Sequence, residues 1–239
     1  MRFLFYSIKD ILYFLTLTFS VLISSCGGGG NSSLNEPLPP PDPQPTTPPT
    51  PEIPLSERKY ITQTIDGQQV ERTYLIRYPE EISKGSYPVV FFFHGAGGNG
   101  QGWFNNHPEV ENLIDQEQFI GIFPDGYDNR WNVGTETNAD DVEFITLIVN
   151  DFGTNELFNT EKLYGVGTSN GAGLANKIGK ETSLFKGIAP LISQQTVDIG
   201  AIVPPQPLSV FQVGGTEDGL VPINGGNGVA GHVFMSASG

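Results

Sequence analysis

Gly167-Thr168-Ser169-Asn170-Gly171 has the form G-x-S-x-G. Chance alone produces about 0.2 such matches in a chain of this length and composition, so the pattern needs its context. Lys162 to Val166 reads as a strand before it, and Ala172 to Lys180 as a helix after it. A strand, a tight turn and a helix around the Ser make a nucleophile elbow, which lifts the hydroxyl above the sheet edge. Glycines flank the Ser because that turn is sterically crowded. Ser169 then stands at a helix N-terminus, where backbone N–H groups favour developing negative charge. Such a group suits attack on a carbonyl carbon through an acyl-enzyme. A Gly-rich turn with an incidental Ser is the plainer alternative.

The mechanism needs further parts. His94-Gly95-Ala96-Gly97-Gly98 follows a buried strand and offers small residues that let backbone approach a substrate. The Ala96 N–H and the Asn170 N–H are the expected oxyanion donors. His94 itself is expected to be structural, because its loop offers backbone donors and not a relay. A nucleophilic Ser needs a His, and the His needs a carboxylate. Asp218, in Gly214-Gly215-Thr216-Glu217-Asp218 after a late strand, is the expected acid in preference to Glu217. A solvated turn acid is the alternative. The chain has three His. His94 and His107 precede Ser169. His232 follows Asp218, but the interval is cramped for a crossover of at least about 10–12 residues. His232 is therefore expected to be an ordinary loop residue.

The elements that must position these groups are legible. Tyr60 to Ile65 and Val70 to Tyr78 are β-rich runs joined by the hairpin signal Asp66-Gly67. Pro88 to Phe93 and Ile120 to Phe123 are unbroken apolar runs, as in strands buried on both faces. Asp140 to Asp151 places Val142, Ile145, Ile148 and Val149 on one helical face. Gly187 to Ile192 and Leu208 to Val213 read as two more strands. Alternating strands and helices with buried strands imply an α/β fold, a parallel sheet covered on both faces.

Tyr87 to Gly98, Phe123 to Gly126 with Trp131, Asp140 to Phe144, Leu163 to Gly173 and Gly215 to Pro222 share one further property. Taken in order, they resemble the secreted α/β-hydrolase esterases grouped as polyhydroxybutyrate depolymerases and feruloyl or acetylxylan esterases. The resemblance covers most of Glu57 to Gly225. It implies an α/β-hydrolase with a mostly parallel sheet covered by helices. It also implies a serine carboxylesterase acting on polysaccharide-linked feruloyl or acetyl esters, or on polyhydroxyalkanoate-type polyesters. In that family the catalytic His lies on a late loop, after a further strand and helix beyond the acid. The expectation is a catalytic domain over 57–239 that is incomplete at its C-terminus, with the base beyond Gly239. Two alternatives stay open: an inactive hydrolase-fold surface lipoprotein that binds a glycan or a protein, and a peptidase of the same fold.

Composition narrows the partners. The 239 residues carry 12 Lys+Arg against 26 Asp+Glu, a formal net charge of −14. That argues against nucleic acid and disfavours strongly anionic substrates. A single Cys excludes an internal disulfide, and without clustered His/Cys ligands no metal or organic cofactor is expected. Arg2 and Lys9 precede the uncharged run Ile11 to Ile23, which is short for a bilayer span. Leu22-Ile23-Ser24-Ser25-Cys26 then resembles a bacterial lipobox. Residues 1–25 are expected to be a lipoprotein-type signal peptide, with Cys26 acylated. An uncleaved anchor, or an ordinary signal with an incidental Cys, is the alternative. Ten of the 19 prolines fall between Pro37 and Pro54, so 26–56 reads as a disordered tether from a membrane. The expected location is extracytoplasmic, held at a membrane through the lipid or secreted.

Overall fold

The computed structural model describes residues 54–238. The expected signal peptide, Cys26 and most of the expected tether lie outside the described residues.

Strands β1 (Ser56–Ile65) and β2 (Gln68–Arg77) form an antiparallel hairpin, in register from Ser56↔Arg77 to Ile65↔Gln68. Asp66 and Gly67 join them with φ of 50° and 75°, the left-handed pair that a two-residue hairpin turn requires. There follow β3 (Tyr87–Phe93), α1 (Gly100–Asn105), α2 (Pro108–Asp115) and β4 (Ile120–Pro124). Next come α3 (Asp141–Asp151), β5 (Phe158–Thr168), α4 (Asn170–Glu181) and β6 (Gly187–Leu191). The chain continues through α5 (Val197–Ala201), β7 (Ser209–Val210) and a small hairpin of β8 (Gly226–Asn227) and β9 (Val233–Phe234). The main sheet has seven strands in the order β1-β2-β4-β3-β5-β6-β7. The first two are antiparallel, and β4, β3, β5, β6 and β7 run parallel.

β3 is the spine, and its aromatic run shows why both faces are covered. Side chains alternate across a strand. Phe92 therefore meets Trp103 of α1, Phe119 and Phe123, at ring-centroid distances of 4.6, 5.9 and 5.0 Å. Phe91 and Phe93 point the other way, to Phe185 and Trp131. On that side Phe144, Ile145 and Ile148 of α3 and Leu174, Ala175 and Ile178 of α4 complete the core. Removing one of these buried rings costs about 3–5 kcal/mol, which is why the parallel strands hold their order.

The expected strand Leu208 to Val213 is shorter as found. β7 spans two residues, and a single bridge pairs Leu191 with Val213 beyond it. Bonds from Phe211 N–H to Ile188 O (2.9 Å) and Val213 N–H to Pro190 O (3.1 Å) still carry the parallel ladder forward. Among the described residues β7 has no partner on its outer side, so half of its backbone groups lack ladder bonds.

Candidate active site

Ser169 joins the end of β5 to the start of α4. Its backbone has φ 54° and ψ −117°, outside the regions a side-chain-bearing residue prefers. Three contacts impose that geometry. The Ser169 N–H donates to Leu191 O on β6 (3.0 Å). A Cβ at position 171 would overlap Phe93 O and stand 2.6 Å from His94 O, so α4 starts directly against the end of β3. A Cβ at position 167 would overlap Gly171 O and stand 2.7 Å from Ala172 N. Both glycines of G-x-S-x-G are thus fixed by close backbone approach. The Ser169 hydroxyl makes no capping bond to its own helix.

The loop after β3 lies against this turn: a Cβ on Gly95 would stand 3.6 Å from Ser169 Cβ. Gly97 N–H donates to Asn129 O (2.8 Å) and Gly98 N–H to Gly95 O (3.1 Å). The Ala96 N–H has no backbone partner among the described residues, and Ala96 is exposed. The Asn170 N–H likewise has none, as the first donor of a helix. Both expected oxyanion donors are therefore without backbone partners where the loop after β3 and the start of α4 meet at Ser169.

His94 supports this loop from beneath. It is buried, its Nδ1–H donates to Gly95 O (2.7 Å), and its Nε2 accepts from Gly126 N–H (2.9 Å). An Nε2 that accepts from a backbone N–H makes the ring a neutral Nδ1–H tautomer. Burial pushes its pKa below the ordinary value, against the opposing pull of the Gly95 carbonyl and Asp125. With both nitrogens spent on backbone, His94 is structural.

Asp218 lies beyond β7 on the same sheet edge. Ile192 N–H donates to Val213 O (2.8 Å), so the ends of β5, β6 and β7 stand in a row. Asp218 Oδ1 accepts from Leu220 N–H (2.8 Å) and Val221 N–H (2.9 Å), and Oδ2 has no partner among the described residues. The three His are all placed. His107 Nδ1–H donates to Trp103 O (2.6 Å), and its ring stacks on that indole at 3.8 Å. His232 pairs through Nε2 with Glu136 Oε1 (2.7 Å). No His makes a hydrogen bond to Ser169 or Asp218 among the described residues. Ser169, Ala96 and Asn170 are brought together; Asp218 shares their edge without a relay between them.

No family model matches the chain. In sequence it is similar to feruloyl esterase B of Piromyces equi, at 24% identity over 65% of this chain and 31% of that protein. It is also similar to an acetylxylan esterase of Coprinopsis cinerea, at 27% identity over 55% of this chain and 37% of that protein. The chain spans about a third of the length of these two relatives (31% and 37%). A solved thermostable esterase matches in structure with a TM-score of 0.54, at 18% identity, over 70% of this chain and 48% of that one. The fold is that of the α/β-hydrolases.

Within this fold, three further groups support the site. The Asn170 side chain clamps the Trp131 backbone, accepting from its N–H (2.7 Å) and donating to its carbonyl (2.9 Å). The Trp131 indole N–H donates to His94 O (2.8 Å). One clamp thus ties the helix start to the loop after β3. Behind it, Arg72 and Asp141 form an ion pair at 2.7 Å, with 3% and 0% of their side chains exposed. Asp141 also accepts from Asn132 N–H (2.6 Å), which holds the Trp131 segment. Burial raises the Asp141 pKa, and Arg72 is the main force against that rise. Glu136 Oε2 accepts from the N–H groups of Val133, Gly134 and Thr135 (3.0, 2.8 and 3.0 Å). Burial alone would raise the Glu136 pKa; the backbone donors and His232 outweigh it and hold the carboxylate below its ordinary range.

A cavity of about 500 Å³ lies apart from Ser169, lined by Val197, Ala201, Phe234 and Met235 among others. No group of three or more His, Cys, Asp or Glu is poised for a metal among the described residues. No described helix is long and apolar enough to cross a membrane.

Proposed function

We propose that the protein is an extracytoplasmic serine carboxylic-ester hydrolase. Ser169 attacks the ester carbonyl carbon. The Ala96 and Asn170 N–H groups receive the oxyanion, and a His oriented by Asp218 takes the hydroxyl proton and returns it to the departing alcohol. Water then attacks the acyl-enzyme and releases the acid. The observation that carries this reading is the strained, uncapped Ser169 between two unpaired backbone donors. The similarity to feruloyl and acetylxylan esterases supports an ester substrate. We propose a polysaccharide-linked feruloyl or acetyl ester, or a polyhydroxyalkanoate-type polyester. The net charge of −14 suits such neutral polymers. Acylation of Cys26, with 26–56 as a tether, would hold the enzyme at a membrane facing its substrate. The base is proposed to belong to a longer form of the chain, since His94, His107 and His232 are each engaged elsewhere.

Those three engagements also favour a second reading, an inactive hydrolase fold that binds a glycan or a protein. Assays of the full-length protein on aryl acetate, feruloyl ester, acetylated xylan and polyester film decide between them. Turnover that Ser169→Ala abolishes supports the esterase. Binding of xylan or film with no turnover supports the second reading. An aryl ester and a peptide amide compared in parallel separate an esterase from a peptidase.

A further inference from the structure

The residue beside the nucleophile is conformationally expensive and does nothing for the core. β5 and β6 run parallel with Thr168 opposite Leu191, so the next two residues, Ser169 and Ile192, stand side by side. Both have positive φ, 54° at Ser169 and 52° at Ile192. For Ser169 the turn explains the strain. Ile192 is β-branched, the type least suited to that region. It is also 49% exposed, so burial offsets little of the strain. A Gly or Asn would make the same turn at lower cost.

A second apolar side chain shares this rim. Leu220 is 64% exposed and lies in the loop that Asp218 holds through its N–H. In strand order Ser169 ends β5, Ile192 follows β6, and Asp218 with Leu220 follows β7. Ile192 therefore occupies the step between the proposed nucleophile and the proposed acid. The Ala96 donor sits on the opposite, β3 side, and the Asn170 donor at the start of α4. The departing alcohol must face the base that Asp218 orients, so it lies over the end of β6.

We propose that Ile192 is a specificity-determining residue that contacts an apolar alcohol group of the ester. The proposal rests on Ser169 being the nucleophile. Its side chain forms the floor beneath the leaving group, with Leu220 at the outer edge. The strained backbone is the cost of holding a branched apolar side chain at that spot. The group it accepts is uncharged and apolar, so of the two proposed substrate classes this site fits the aliphatic alcohol portion of a polyester and not the sugar of a polysaccharide ester; the rim here carries two aliphatic side chains.

The test uses two substrate series with the full-length protein. One varies the alcohol from methyl to hexyl at constant acetyl. The other varies the acyl group from acetyl to hexanoyl at constant methanol. Ile192→Asn tolerates the left-handed conformation and removes the apolar contact, while Ile192→Val keeps a branched apolar group. In the wild type, kcat/KM is expected to rise about twofold per methylene along the alcohol series, as for one-sided cover of each CH2. Ile192→Asn should flatten that rise, Ile192→Val should retain most of it, and the acyl series should respond equally in all three proteins. An unchanged alcohol series in Ile192→Asn, or a change confined to the acyl series, overturns the proposal. Wild-type protein without turnover that depends on Ser169 overturns the nucleophile reading itself, and is recognised by the Ser169→Ala control before either series is read.

Discussion

Ser169→Gly should be more stable than Ser169→Ala, although both should be inactive. The backbone at this position has φ 54° and ψ −117°. Holding a residue with a Cβ in so sparsely populated a region costs about 1–3 kcal/mol. Ala keeps that cost, and Gly removes most of it. Gly also gains freedom in the unfolded chain, which returns roughly 0.4–1 kcal/mol against it. Ser169 makes no side-chain capping bond, so neither variant loses one. The central balance is about 1.3 kcal/mol in favour of Gly, or roughly 3–5 °C in Tm for a domain of this size. Urea denaturation followed by fluorescence measures it directly, because both Trp of the chain, Trp103 and Trp131, lie in this region. Equal midpoints, or a more stable Ala variant, would refute the claim that the turn stores strain at the nucleophile.

Other perturbations have equally definite outcomes. Gly171→Ala should prevent normal docking of α4, because its methyl would overlap Phe93 O; the expected loss exceeds about 3 kcal/mol, read by thermal denaturation. Asn170→Ala leaves Trp131 N–H and O without their clamp. It should cost about 1–3 kcal/mol and lower kcat more than it raises KM, since substrate binding does not use the carboxamide. Asp141→Ala strands the buried Arg72 guanidinium and should cost about 3–5 kcal/mol, measured by urea midpoint. For pH, His94 has a folded pKa below its ordinary value of about 6.5. The unfolded chain therefore binds the proton first. Its contribution is intact above about pH 6.5 and is lost as pH falls from there toward the folded pKa, with a slope of at most about 1.4 kcal/mol per pH unit. His94→Gln should be less stable at neutral pH and show a shallower loss between about pH 6.5 and 5, measured by urea denaturation across that window.

Local pattern made the scaffold readable. Phe91 to Phe93 are apolar on both sides of the strand because both sheet faces are covered, and Asp66-Gly67 announces its hairpin because only certain residues accept positive φ. The motif around Ser169 was legible for the same reason: its glycines answer to backbone contacts only a few residues away, or at the end of the neighbouring strand. The supporting network was not legible. Asn170 meets Trp131 across 39 positions, Arg72 meets Asp141 across 69 and His232 meets Glu136 across 96. Each is an ordinary residue type whose partner is chosen by topology, which periodicity does not encode. Ile192 fits its strand pattern as one more apolar residue; its positive φ appears only when β6 is seen to end beside Ser169. That β7 keeps only two residues, with one bridge at Val213 beyond them, is set by pairing to β6, which hydrophobicity along Leu208 to Val213 could not announce.

The central claim is that Ser169 is the nucleophile. Covalent labelling of the full-length protein with an aryl fluorophosphonate, followed by peptide mass mapping, tests it most directly. The account predicts one adduct per chain, on the peptide that contains Ser169, and none in Ser169→Ala. An adduct on another residue, equal labelling of the Ser169→Ala variant, or no labelling of the wild type would contradict it.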